Sequence, residues 1–407
     1  MISLEHNELV ISFPEVHELA RVGLNFQRTL RIPDNDQVYP LPPGLGSFPL
    51  VHVDDYKDNV PSNWIEHGGV VLPMYQSEAM WICFNPRPAP GRASAYPFAI
   101  KISTGKIDAI TGEELKKGLH RNKQDYVVVP GQPWLDGYCV KKGIIRQFVA
   151  MPLGQGYSAE EQITKKAEFG GIQIVVYPLK AEVYDRLYPE IAIDQLRARL
   201  SSNPDDSPWA WGAGGGAMGS GFGSAPIYPM SAGSGFPPPQ GGPASSAAFG
   251  SASSTGSWGA SPAAAPLPQQ ASAKQVAKAI AAPDMGIAPG GRMKQDIYKD
   301  TFNLDDWDTE NCSRCFIHLA NSLAWKNITG AVPPHAPPSA SLYASHGLPW
   351  YDYYDGDLDA LSGSGKLANL KSVQELSQKK GEPIDNKPLK NLPVVNQPQK
   401  PVREGDF

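Results

Sequence analysis

The run Ser207-Pro208-Trp209-Ala210-Trp211-Gly212-Ala213-Gly214-Gly215-Gly216-Ala217-Met218 opens the stretch that decides how this chain is organised. No charged residue occurs between Asp206 and Lys274. Gly, Ser, Ala and Pro dominate the stretch, with isolated aromatics at Trp209, Trp211, Phe222, Tyr228, Phe236, Phe249 and Trp258. So few aliphatic side chains cannot bury enough apolar surface to offset the entropy of ordering the backbone. The composition therefore predicts a disordered linker over about 203–290. It sets a long N-terminal part, residues 1–202, apart from a shorter C-terminal part, residues 291–381, with a polar tail at 382–407 that is also expected to be disordered.

The remaining sequence is that of an ordinary soluble protein. Over the whole chain, 36 Lys and Arg against 41 Asp and Glu give a formal net charge of -5. That balance disfavours a nucleic-acid binder or a partner for anionic membranes. The first residues, Met1-Ile2-Ser3-Leu4-Glu5, lack the cationic and apolar regions of a secretory signal, and no window is long and apolar enough to span a membrane. Four cysteines in 407 residues do not make a disulfide scaffold. A cytoplasmic setting is expected.

Working outward from the linker, the N-terminal part reads mainly as strands. Leu9–Phe13, Tyr126–Val129 and Ile144–Met151 are short apolar runs bounded by Gly and Pro. Gly69–Pro73 and Ala79–Phe84 flank Tyr75–Glu78 as a hairpin would. Phe98–Ile102 and Lys106–Ile110 flank Ser103-Thr104-Gly105, a second hairpin with Gly free to take positive φ. Ile172–Tyr177 is apolar on both alternating sets, which predicts a central strand. Val16–Leu30 fits a helix followed by a strand. Ser158 with Glu161 forms a capping-box pattern, and Ala181 to about Ser201 reads as a helix interrupted at Pro189. Past the linker, helices are expected at Ala273–Ala282, Cys315–Ile328 and Lys366–Lys380, the last ended by Gly381. The fold class is α+β: a mainly antiparallel β domain followed by a small α-rich part that folds alone or docks on the first.

Several residue groups invite a chemical reading, and each has a plainer one beside it. Cys312 and Cys315, with His318 three residues on, offer metal or redox ligands. Zinc needs about four ligands and no second pair sits at the right spacing, so two thiols packing a small domain is the simpler account. Asp355-Gly356-Asp357-Leu358-Asp359 alternates carboxylates, but Ala360 and Lys366 stand where a calcium loop needs Gly and Glu. Gly363-Ser364-Gly365-Lys366 lacks the first Gly and the hydroxyl of a phosphate loop, and reads as a helix start. Gly154, Gly156 and Ser158 lead into the capped helix and could present N–H groups to an anion. For nucleophilic catalysis the N-terminal part offers Cys139, with His67 as a base; buried thiols and surface histidines are the ordinary case.

Three runs carry a resemblance. Pro133-Trp134-Leu135-Asp136-Gly137-Tyr138-Cys139-Val140, continuing into Ile145–Gly154, and the pair Cys315-Phe316-Ile317-His318 and Gly347–Tyr354 resemble a family of uncharacterised microbial proteins. The resemblance covers both folded parts and implies no activity, cofactor or catalytic residue. On the sequence, the favoured function is an intracellular binding or assembly protein that meets another protein or itself. The alternatives are a hydrolase-like or transferase-like enzyme built on Cys139 and His67, and a metal-stabilised module built on Cys312, Cys315 and His318.

Overall fold

The strand-forming runs assemble into two large sheets, with a separate parallel pairing of Trp350–Asp352 and Val394–Asn396, in a computed structural model, which describes residues 1–191, 282–333, 337, 350–352, 358–382, 386–389 and 394–396. The first sheet runs in the order Ile2–Glu5, Glu8–Ser12, Arg21–Thr29, Ala79–Pro86, Ile144–Pro152, Met285–Lys294 and Val38–Tyr39, with three short strands attached off this path. The second runs Ile107–Asp108, Phe98–Thr104, Ile172–Pro178, Ser313–Asn321, Val70–Met74 and Val51–His52, with Val127–Val129 beside Phe98–Thr104. Neighbours are antiparallel except Ser313–Asn321 with Val70–Met74 and Met285–Lys294 with Val38–Tyr39. The expected α+β class, antiparallel-rich with few helices, is what the chain adopts. The linker at 203–290 falls almost wholly outside the described residues, as do most of the Ala273–Ala282 helix, the Asp355–Asp357 carboxylates and most of the tail.

One core holds the two sheets together. Along the first, Val22, Leu24 and Phe26 pair with Pro86, Phe84 and Ile82 and face inward with Phe148. Along the second, Ile100, Ile102, Ile172, Ile174, Val176, Cys315, Ile317 and Leu319 face the same core. Side chains alternate along a strand, so each sheet also has an outer face to cover. On the second sheet Trp64 and Trp325 pack with Val71, Ala320 and Ile328. On the first, Val373 packs with Ala79, Val149, Met151, Tyr157 and Ala288.

The C-terminal chain thus enters both sheets. Met285–Lys294 lies against Ile144–Pro152, and Ser313–Asn321 sits between Ile172–Pro178 and Val70–Met74. Its helical portion is small: Trp325–Thr329, Gly365–Ala368 and Val373–Lys380. Gly137 shows how closely the strands meet, because a Cβ there would lie 1.9 Å from the Arg146 carbonyl oxygen.

Four expectations are corrected. Val70–Met74 and Ala79–Pro86 are not a hairpin; they belong to different sheets, and Tyr75–Glu78 crosses between them. No helix precedes Arg21–Thr29, where the tight turns at 14–19 are closed by His17 donating to the Phe13 carbonyl and Ala20 donating to the His17 carbonyl. Cys315–Ile328 is strand up to Asn321, and only Trp325–Thr329 is helical. Lys366–Lys380 is two helices, the second restarted by a capping box in which Ser372 and Glu375 satisfy each other's backbone N–H groups. The Ser158 capping box, the Ser103–Gly105 hairpin and the central position of Ile172–Pro178 stand as expected.

Candidate functional site

Strand geometry separates the metal candidates. Cys312 precedes Ser313–Asn321, while Cys315 and His318 lie within it. Residues three apart on a strand point to opposite faces. Cys315 therefore joins the common core, where burial pushes its thiol up to about 12. His318 points outward and stacks between Trp64, at 4.9 Å between ring centres, and Phe316, at 4.3 Å. A helix would have put Cys315 and His318 on one side; the strand does not. All four cysteines are free thiols, and among the described residues no group of three or more His, Cys, Asp or Glu is placed to hold a metal ion.

His318 instead closes an aromatic stack. Its Nε2 lies 2.9 Å from the Gly68 carbonyl oxygen, which only accepts, so the proton sits on Nε2. Burial lowers its pKa to about 4, with the Gly68 bond opposing. A depressed histidine contributes stability that is present above its unfolded pKa and is lost as pH falls towards the folded one. Between pH 8 and pH 5 this group alone should remove about 2 kcal/mol. Asp284, whose carboxyl is pushed up to about 6 by burial and accepts from Trp64, acts with the opposite sign and regains stability on protonation, as do Asp108 and Asp136, which burial pushes up to about 7 and about 8. Urea titrations of the native chain and His318→Gln at pH 8 and pH 5 check this. The variant should lose the histidine share of the acid destabilisation, and equal acid slopes would contradict the assignment.

Cys139 and His67 are not brought together. Cys139 lies on Gly137–Lys141 in the first sheet, its N–H donating to the Ala109 carbonyl and its own carbonyl accepting from Ser364. Burial, with Asp108 and Asp296 nearby, pushes its thiol up to about 12. His67 ends the helix Ser62–His67 outside the second sheet, exposed and stacked at 4.6 Å on Phe316.

The anion candidate is filled from within the chain. Gly154 and Gly156 take positive φ and carry the backbone into a helix of six residues, Ala159–Thr164. The N–H groups of Gly156 and Ser158 donate to the Glu161 carboxylate at 2.6 and 3.2 Å, and the Ser158 hydroxyl donates to it at 2.8 Å. Glu161 is the anion this turn holds.

A charged cluster that sequence reading missed lies where the C-terminal segment crosses the first sheet. Leaving Arg21–Thr29, the chain is clamped by the Gln147 side chain, which donates to the Leu30 carbonyl and accepts from Ile32 N–H. The segment passes so close to Gly291 that a Cβ there would lie 2.4 Å from the Pro33 carbonyl oxygen. This approach sets Arg31 and Asp34 beside Arg146 and Arg292, which are register partners on adjoining strands. Asp34 accepts from the Gln374 N–H at 3.3 Å and from Ser372, and its backbone is held at both ends by Asn386. Burial raises the Asp34 carboxyl and lowers the Arg31 and Arg146 guanidinium groups from their ordinary values. Arg31 Nε and Nη2 and Gln374 Oε1 are buried without hydrogen-bond partners among the described residues. Asp34 and Gln374 are 340 positions apart, so no local pattern could have signalled their meeting.

Among the described residues no helix is long and apolar enough to cross a membrane. Compared with family models, curated proteins and solved structures, the chain matches none of them.

Proposed function

We propose that this is a binding and assembly protein whose two-sheet body presents the segment 192–281 as its contact element. The observation that carries the reading is where the two ends of that segment are fastened. At one end Ile191 N–H donates to the Gly91 carbonyl at 2.8 Å. At the other, Asn321 N–H donates to the Pro283 carbonyl at 2.8 Å and Asp284 bridges to Ala320, immediately before Met285–Lys294 enters the first sheet. A spacer between two bodies has its ends on different bodies. Here both are held by one, so a spacing role gives no reason for the length.

Long insertions at such a place cost little, about 0.6 kcal/mol for each doubling of loop length. The composition of the insertion supports contact-making: the stretch between Asp206 and Lys274 has no charge to repel a second copy, and its spaced aromatics can stack. Sedimentation velocity over a concentration series tests the reading on the full chain. One variant carries a Gly/Ser linker of about 30 residues, spanning roughly 30 Å, in place of 205–274. A second carries Ser at Trp209, Trp211, Phe222, Tyr228, Phe236, Phe249 and Trp258. The native chain should form concentration-dependent oligomers and both variants should remain monomeric. Identical sedimentation of all three would remove the proposal.

A further inference from the structure

The cluster around Arg31 supports a binding site independent of the assembly reading. We propose that Arg31, Arg146 and Gln374 form a receptor for a small oxyanionic group, with two of its oxygens received on the Nε and Nη2 edge of Arg31. That edge is one of the two on a guanidinium whose paired N–H groups match two oxygens of a carboxylate or phosphate. Both of its atoms are buried and have no hydrogen-bond partner among the described residues. An ionised side chain held in that state is costly unless something supplies the acceptors.

The surroundings point the same way. Arg146 reaches the Gly290 carbonyl only at 3.4 Å and Asp34 only at 3.7 Å, both long for a guanidinium with a committed partner. Arg292 adds a third positive charge and meets Asp36 at 3.9 Å, whose side chain is fully exposed. The one carboxylate embedded in the cluster, Asp34, is engaged by Gln374 and Ser372 and so binds the C-terminal segment down. Glu375 stands near Arg146 but is exposed.

Gln374 completes the site. Its Oε1 is buried without a partner among the described residues, and its backbone N–H donates to Asp34. Side-chain amide oxygen and nitrogen are distinguished by their hydrogen bonds, and turning this amide over offers two N–H donors instead. The site would then hold donors from Arg31, Arg146 and Gln374. The Arg146 and Asp34 side chains are 8% and 7% exposed, whereas Arg31 is half-buried, so the cluster reaches the surface through Arg31 at the seam between 31–34 and 372–374.

Thermal unfolding of the full chain at constant ionic strength tests this, with inorganic phosphate in one arm, acetate in a second and chloride as the balance. The native chain should show a saturable rise in Tm of several degrees in at least one arm. A phosphate response alone would identify a phosphate group, and an acetate response alone a carboxylate. Arg31→Met should abolish the response and, without anion, melt no lower than the native chain, because it removes a charge that burial disfavours and Asp34 offsets only in part. Arg31→Lys keeps the charge without the two-point edge and should weaken the half-saturating concentration at least tenfold, which keeps the test decisive if the Met variant does not fold. No saturable response in either arm, or an Arg31→Lys response equal to the native one, would overturn the proposal.

Discussion

A chain ending at residue 202 will not form a stable soluble domain, although it retains most of the strand-forming runs. Deleting residues 203–407 takes Ser313–Asn321 from the interior of the second sheet. Five residues of that strand pair with Ile172–Val176, and five with Val70–Met74. Without it the sheet splits, leaving two strands with unpaired backbone groups and core-facing Ile172, Ile174, Val70 and Leu72 uncovered. Met285–Lys294 is lost as well, exposing the far side of Ile144–Pro152. Fully burying one Leu or Ile side chain contributes about 1.5–3 kcal/mol. The truncation strips cover from far more residues than a net stability of about 5–15 kcal/mol can spare. Exposed strands of this kind template aggregation. The fragment should therefore be recovered in the insoluble fraction, and co-expression with a 282–407 fragment should restore a soluble complex that unfolds in a single transition. A soluble 1–202 fragment with cooperative thermal unfolding would contradict the account.

That dependence could not be seen in the sequence because the decisive strand hides its period. Along Ser313–Asn321 the inward set is Cys315, Ile317 and Leu319, and the outward set is Phe316, His318 and Ala320. Both sets are buried, one by the common core and the other by Trp64 and its neighbours, so apolar and polar residues do not alternate. Phe316, Leu319, Leu323 and Ile328 then fall at helical intervals by accident of this two-sided burial. Ile172–Pro178 is buried on both faces too, but its run of β-branched residues betrayed it. Alternation also says nothing about which sheet a strand joins, and so Val70–Met74 and Ala79–Pro86 looked like a hairpin.

The candidate sites divide along the same line between local and distant contacts. The Ser158–Glu161 box was legible because its atoms lie three residues apart. What the box does to the anion candidate was not, since Glu161 reaches back to Gly156 only once the turn is built. Cys312, Cys315 and His318 were adjacent in sequence and are parted by the pleat. Arg31, Asp34, Arg146 and Gln374 are scattered in sequence and are joined by the crossing of the C-terminal segment over the first sheet. Charged residues with no local pattern leave no trace until the fold assembles them.

Replacing Glu78 with Ala should destabilise the protein by about 3–5 kcal/mol, the cost of breaking a buried ion pair from one side. Glu78 closes the crossover Tyr75–Glu78 that carries the chain from the second sheet to the first. Arg28 and Glu78 side chains are 5% and 1% exposed. Arg28 Nε and Nη2 both donate to Glu78 Oε1, at 3.1 and 2.7 Å, and Tyr75 N–H donates to Oε2 at 2.9 Å. Burial raises the Glu78 carboxyl above its ordinary value and Arg28 pulls it back only in part. Desolvation therefore consumes much of what the pair gains, and the pair's net contribution is small even though losing one member is costly. The two effects separate in a double-mutant comparison. Glu78→Ala takes away the carboxylate that receives two Arg28 N–H groups beside Phe48 and frees Tyr75 N–H, whereas Arg28→Met with Glu78→Met removes both charges and should recover at least half of the loss. Urea unfolding of the native chain and both variants at pH 7 measures this. A loss below about 1 kcal/mol for Glu78→Ala would place the pair among weak surface-type contacts and remove it as the clamp on the sheet crossover.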